Sequence, residues 1–181
     1  MSADASMVQQ PTEDHPPTVE LGVTNDHDRS VTLVPDSSDA MLYYLPPMEG
    51  ETVDIYLVPE DLSSGVIPNA RIDGCWRFDA DSESEAASEV IQVRPSQITH
   101  ELGPGERYAI RHEVYHNLGS GPCFPDGEYT TSKRLMFTEE PGKRAVAIEK
   151  EDAGPAFRLE YTLTAEADGT VSINVDGPDP A

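Results

Sequence analysis

Apolar and polar residues alternate with a period of two through most of this chain, from Thr18 onward. Val19, Leu21 and Val23 alternate with Thr18, Glu20 and Thr24; Asn25-Asp26-His27-Asp28 makes a turn, and Val31 and Leu33 resume the pattern. A period of two sends successive side chains to opposite faces of a pleated strand, so each run predicts a strand with one face in a core. Val53, Ile55 and Leu57, alternating with Asp54 and Tyr56, predict another. Shorter strands are predicted at 75–78, 90–93 and 98–102, a longer one is marked by Tyr108, Ile110 and Val114, and two more follow at 129–137 and 145–148. In the last pair, Phe157, Leu159, Tyr161 and Leu163 face one way and Arg158, Glu160, Thr162 and Thr164 the other. Asp168-Gly169 then predicts a tight turn of the primed type, with Val171, Ile173 and Val175 returning as the second arm of a hairpin.

Helical signals are sparse: 83–90 (ESEAASEV) has the composition for one or two turns, and 59–63 for another. About ten short alternating runs, separated by 16 prolines and 13 glycines, predict an all-β chain folded as an antiparallel immunoglobulin-like β-sandwich with long loops. Residues 1–16 are polar, contain Pro11 and Pro16 and show no period, and so read as a disordered acidic arm. The sandwich is predicted to span 17–176, followed by a disordered tail at 177–181. The stretch 34–52 is a long irregular connection whose apolar patch, from Met41 to Leu45, is expected to cap one end of the core. No internal repeat of fixed period is present.

Three stretches carry a family resemblance: Val23-Thr24-Asn25-Asp26, then Leu102-Gly103-Pro104-Gly105-Glu106, then Cys123-Phe124-Pro125-Asp126-Gly127-Glu128-Tyr129. In this order they resemble immunoglobulin-like sandwich domains of acidic haloarchaeal proteins. The turns before strands are also similar to those of the bacterial intracellular proteinase inhibitor of the BsuPI type. The resemblance runs from Val19 to Phe137 and consists of turn chemistry. It implies a sandwich fold and a halophilic origin; an inhibitor role is one version of the protein-binding function it suggests.

Charge changes the picture more than composition does. The 181 residues hold 34 acidic side chains against 12 basic ones, a formal net charge of −22, and only three of the cations are lysines. The acids run from Asp4 to Asp179 rather than forming a tail. A lysine-poor acidic surface keeps a protein hydrated in molar salt, where the Debye length falls to about 3 Å and self-repulsion is screened. The same surface repels nucleic acid and anionic membranes, which removes both as expected partners. No run approaches the ~20 apolar residues of a membrane-spanning helix, and the first residues lack the basic start and apolar core of a signal peptide. The expected location is therefore cytoplasmic, with a cell-surface location as the alternative for a trimmed chain.

One motif points to chemistry. His112-Glu113-Val114-Tyr115-His116 matches the zincin pattern H-E-x-x-H, and Asn117-Leu118-Gly119 extends it toward the metzincin form. On a helix, histidines at i and i+4 rise about 6 Å and share one face, so both bind one zinc ion while the glutamate activates its water. The metzincin extension requires a third histidine at 122, where this chain has Pro122, and no histidine follows His116. The local period is two rather than 3.6: Tyr108, Ile110, His112, Val114, His116 and Leu118 form one series, with Arg111, Glu113 and Asn117 opposite. On a strand the histidines stand about 13 Å apart, too far for one ion. The expectation is a strand, with no catalytic, cofactor-binding or metal-ligating residue assigned. The alternative is a zinc-dependent hydrolase using His112 and His116 as ligands and Glu113 as base.

Other candidates are thinner. Asp79, Asp81, Glu83 and Glu85 alternate as at the start of a calcium loop. Ser84 stands where the sharp turn needs glycine, and Val90 where a closing glutamate belongs, so a solvated acidic loop is expected. Cys75 and Cys123, 48 residues apart, are either two buried thiols or a disulfide tying two strands, the latter favoured for an exported protein. Trp76, the only tryptophan, lies on the opposite strand face from Cys75, so at most one of the two is expected in the inner core, with the indole packed under Arg77. The chain has no nucleophile elbow and no phosphate-binding glycine loop. The sequence thus predicts a non-enzymatic binding or assembly module without cofactors, holding a protein partner of unspecified identity through loops or a sheet edge.

Overall fold

The computed structural model describes residues 1–34, 45–60, 71–72, 75–76, 100–116, 125–138 and 156–180. A four-stranded sheet has the order β1 (Ser2–Gln9), β2 (Thr18–Thr24), β8 (Arg107–His116), β4 (Ile55–Pro59). A five-stranded sheet has the order β11 (Val171–Pro180), β10 (Ala156–Ala165), β9 (Gly127–Thr138), β3 (Val31–Val34), β7 (His100–Leu102). A two-stranded ladder pairs β5 (Arg71–Ile72) with β6 (Cys75–Trp76). Every pairing is antiparallel.

The all-β sandwich read from the alternation is the fold observed. Val19, Leu21 and Val23 on β2 and Val114 on β8 enter one core with Leu135 and Phe137 on β9 and Leu159, Tyr161 and Leu163 on β10. Full burial of each such aliphatic side chain contributes about 1.5–3 kcal/mol, which is what pins the register. The predicted strand series fall on β2, β3, β4 and β7 to β11. The stretches predicted at 83–90, 90–93 and 145–148 lie outside the described residues, as do Met41 to Tyr44 of the proposed cap. Within the connection after β3 it is Met48 that is fully buried, bridging to Ile55, while Glu49 exchanges two backbone hydrogen bonds with Thr130 of β9.

Both predicted disordered ends are corrected. Residues 2–9 form β1, the edge strand paired with β2 from Ser2↔Thr24 to Met7↔Val19. Its inward residues are Ala3, Ala5 and Met7, packed against the core; two alanines made the alternation too weak to notice, and the neighbouring strand supplies the order instead. Pro16 and Pro17 are buried, and the Pro17 carbonyl accepts the Val114 amide at 2.9 Å. The Gln10 side chain then closes the sandwich edge: its amide donates to the Val171 carbonyl at 2.7 Å, and its oxygen accepts the Val171 amide at 2.9 Å. At the other end, β11 continues through 177–180, opposite Arg158 and Phe157.

The β10–β11 turn also differs from expectation. Gly169 donates to the Glu166 carbonyl and Glu166 to that of Thr170, both at 2.8 Å, so three residues turn the chain rather than two. Gly169, at φ +84°, takes the left-handed position such a loop requires.

Candidate functional site

The zincin-like segment lies wholly in β8. His112 sits between Val19 of β2 and Pro59 of β4, and His116 opposite Ile55 of β4. Four residues along a strand separate their Cα atoms by about 13 Å, so the two imidazoles do not converge on one ion. Both are buried. Among the described residues no group of three or more His, Cys, Asp or Glu side chains is gathered to hold a metal. The run from Asp79 to Glu85, with Val90, lies outside the described residues.

Glu113 and Tyr115 face away from the core, yet both are buried, at 7% and 1% exposure. They lie beneath a second, smaller apolar cluster in which Tyr115 packs with Val58 and Trp76, flanked by Tyr56. The Tyr115 hydroxyl donates to Glu113 Oε2 at 2.6 Å. Burial, and then the adjacent Glu113, push the Tyr115 hydroxyl well above the ordinary tyrosine range, so it stays protonated and remains the donor. The glutamate placed as a base by the zincin pattern is therefore engaged on the outer face of the sheet.

Cys75 and Trp76 are both buried, Trp76 in the second cluster rather than in the inner core, which holds neither of them. The ladder of β5 and β6 belongs to neither large sheet, so a residue facing away from the main core is covered by the second cluster. The indole Nε1 of Trp76 donates to the Thr12 carbonyl at 3.2 Å, tying the β1–β2 connection to this cluster. Cys75 is disulfide-bonded; Cys123, the chain's other cysteine, lies outside the described residues, as does Arg77. The sequence did hold a signal for the second cluster. Ile55-Tyr56-Leu57-Val58 is an unbroken apolar run, the pattern of a strand buried on both faces.

At the opposite end of the same face, charges are paired. Arg107 reaches Asp4 through Nε and Nη2 and Glu20 through Nη1 at 3.0 Å, and Arg111 Nε reaches Glu20 at 3.2 Å. The hydrogen bonds from Arg107 and from Arg111 hold the Asp4 and Glu20 carboxyls, respectively, below their ordinary pKa values. By contrast, the loop acids Glu13, Asp14, Asp28, Glu51, Asp126, Glu166 and Asp168 project into solvent at the ends and rims of the sandwich. On the four-stranded sheet the strand acids Asp4, Glu20 and Glu113 are thus engaged with arginine or tyrosine.

Two of the turn motifs meet. Asn25, fully buried, donates through Nδ2 to the carbonyls of Arg29, Leu102 and Gly103 at 2.9–3.1 Å, while its Oδ1 accepts the His27 amide. Its own amide donates to the Glu106 carbonyl, and its carbonyl accepts the Gly105 amide. The third motif ends on Tyr129, whose hydroxyl donates back to the Pro125 carbonyl at 2.8 Å. These motifs fix loops at the sandwich ends. Among the described residues no helix is long and apolar enough to cross a membrane. No protein-family model, no curated protein and no solved structure matches the chain.

Proposed function

We propose that the chain is an immunoglobulin-like sandwich of a halophilic organism that acts as a non-enzymatic binding or assembly module, holding a protein partner through its loops or a sheet edge. Strand order carries the reading. The sheet β1-β2-β8-β4 follows the A-B-E-D order of a constant-type immunoglobulin domain, and β3-β9-β10 follows C-F-G, with β7 and β11 added at the two edges. Tyr129 stands near the start of β9, the F position, with its hydroxyl bonded four residues upstream, as in a tyrosine corner. Scaffolds of this kind present loops and edges to partners and carry function there.

The disulfide at Cys75 fits an oxidising compartment and supports the cell-surface alternative over the cytoplasmic one. The halophilic part rests on the acidic excess and on its exposed loop positions, where hydration rather than pairing accounts for it. Chemical cross-linking in native lysate held at molar KCl, followed by reconstitution with the purified partner, tests the reading. A stoichiometric complex with cross-links on loops or on β4, β7, β1 or β11 supports it. Bound zinc at one equivalent, lost in His112→Ala together with a peptidase activity, would replace it with the hydrolase.

A further inference from the structure

The two-stranded ladder of β5 and β6 belongs to neither large sheet, and the partner-binding reading gives it no role. Each of its strands is two residues long, and a two-stranded ribbon of that size has only marginal stability of its own. What holds it in place therefore comes from outside the ladder. Among the described residues the attachments sit on two neighbours in β6. Trp76 is buried in the outer cluster with Val58 and Tyr115, and its indole Nε1 donates to the Thr12 carbonyl at 3.2 Å. Cys75 is buried and disulfide-bonded. Cys123, the one other cysteine in the chain, lies between the end of β8 and the start of β9 in sequence.

Successive strand residues point to opposite faces, so Trp76 and Cys75 fasten the ladder from its two sides. The two attachments differ in kind. Trp76 covers a small cluster that shares no residue with the main core, so its departure is a local opening that leaves the core packing intact. The covalent bond opposes that opening, because it keeps the ladder near the β8–β9 connection and so restricts the freedom gained on leaving. Beneath the cover lie Tyr115 and Glu113, hydrogen-bonded at 2.6 Å and withdrawn from water. We propose that β5 and β6 form a redox-latched lid on the outer face of the four-stranded sheet: it covers the Tyr115–Glu113 pair while the disulfide is closed, and opens on reduction while the sandwich stays folded. The opening step is a two-electron reduction by a dithiol. The dithiol's thiolate attacks one sulfur of the Cys75 disulfide and displaces the other, and its second sulfur then closes the reductant into a cyclic disulfide. The two protons of the dithiol end on the two cysteines, and reoxidation reverses the exchange.

Trp76 is the only tryptophan in the chain, so its fluorescence reports on the lid alone. The test follows the emission maximum and acrylamide quenching of the full chain in molar KCl before and after dithiothreitol. Thiol titration confirms the reduction, and amide hydrogen exchange is measured on the same samples. Reduction should shift the emission to the red and raise the quenching constant about threefold, as a locally opened cover requires. The amides of Val19 to Val23 and Leu159 to Leu163 should keep their protection. Cys123→Ala leaves Cys75 in place as a thiol, and should show the open signature without reductant and no further change with it. An unchanged Trp76 signal in either the reduced protein or Cys123→Ala would overturn the proposal. Loss of protection in the core strands on reduction, or two free thiols in the protein purified under air, would overturn it equally.

Discussion

The guanidinium of Arg107 lies over Gly22 in the space a Cβ would occupy: a methyl group there would meet Arg107 Nη2 at 2.6 Å and Cζ at 2.8 Å. Glycine at this strand position is thus a steric condition for the ion network, because it lets the arginine lie flat between Asp4 and Glu20. Gly22→Ala is expected to release Arg107 and cost about 1 kcal/mol, the scale of a surface ion network, rather than the larger cost of overpacking a rigid core. In an Arg107→Ala background the same substitution should cost little. Denaturant unfolding of the four members of this double-mutant cycle measures the coupling; additive effects would separate the glycine from the arginine.

Asn25 is the clasp between the β2–β3 turn and the β7–β8 turn. Asn25→Ala removes the side-chain donor to three carbonyls and the acceptor of the His27 amide, with an expected loss of about 2–4 kcal/mol from several hydrogen bonds at a buried site. Asn25→Asp should be at least as damaging, since a carboxylate cannot donate to carbonyls. An aspartate variant as stable as the parent by urea midpoint would remove the clasp from the account.

Two core tyrosines should respond oppositely to loss of the hydroxyl. Tyr161 is fully buried and its hydroxyl has no hydrogen-bond partner among the described residues, so Tyr161→Phe is expected to be neutral or stabilising. Tyr129→Phe loses the bond to Pro125 and should cost about 1 kcal/mol. Thermal unfolding of both variants ranks them.

Acid should weaken the fold in two stages, through groups on both large sheets. Asp4 and Glu20 are held below their ordinary values of 3.8 and 4.5, so the folded state binds fewer protons than the unfolded state as pH falls past them. Their stabilisation is present above about pH 4.5 and lost as pH drops through the lowered folded-state values. His100, stacked on Tyr108 with ring centroids 4.0 Å apart, has its pKa lowered from 6.5 by burial, and so adds a shallower loss of stability beginning below that pH. Urea midpoints from pH 7 to pH 3 should fall in these two stages, and Arg107→Ala should flatten the more acidic one.

The disulfide at Cys75 can be checked directly. Non-reducing peptide mapping should recover the Cys75 peptide joined to that of Cys123, the one other cysteine in the chain. Recovery of two alkylated thiols would contradict it.

Strand residues with strong alternation were legible in the sequence. Val19, Leu21, Val23 and the series from Phe157 to Leu163 bury as the period requires, because large apolar side chains determine which face turns inward. β1 was not legible: Ala3 and Ala5 bury little area, and the strand exists because β2 offers it a ladder. The HEVYH segment was legible as a strand, since Tyr108, Ile110 and Val114 fix its period. The burial of Glu113 and Tyr115 was not, because it depends on Trp76, nearly forty residues away in sequence and carried by a two-stranded ladder outside both sheets.

The partner-binding reading is tested most directly by capture of the full chain from native lysate at 3 M KCl, followed by mass measurement of the complex rebuilt from purified components. A defined stoichiometric complex, stable at that salt and cross-linked at the loops or edge strands, is the predicted result. A chain that stays monomeric beside every captured protein, or one that holds a stoichiometric zinc ion and cleaves peptides until His112→Ala removes both, would contradict it.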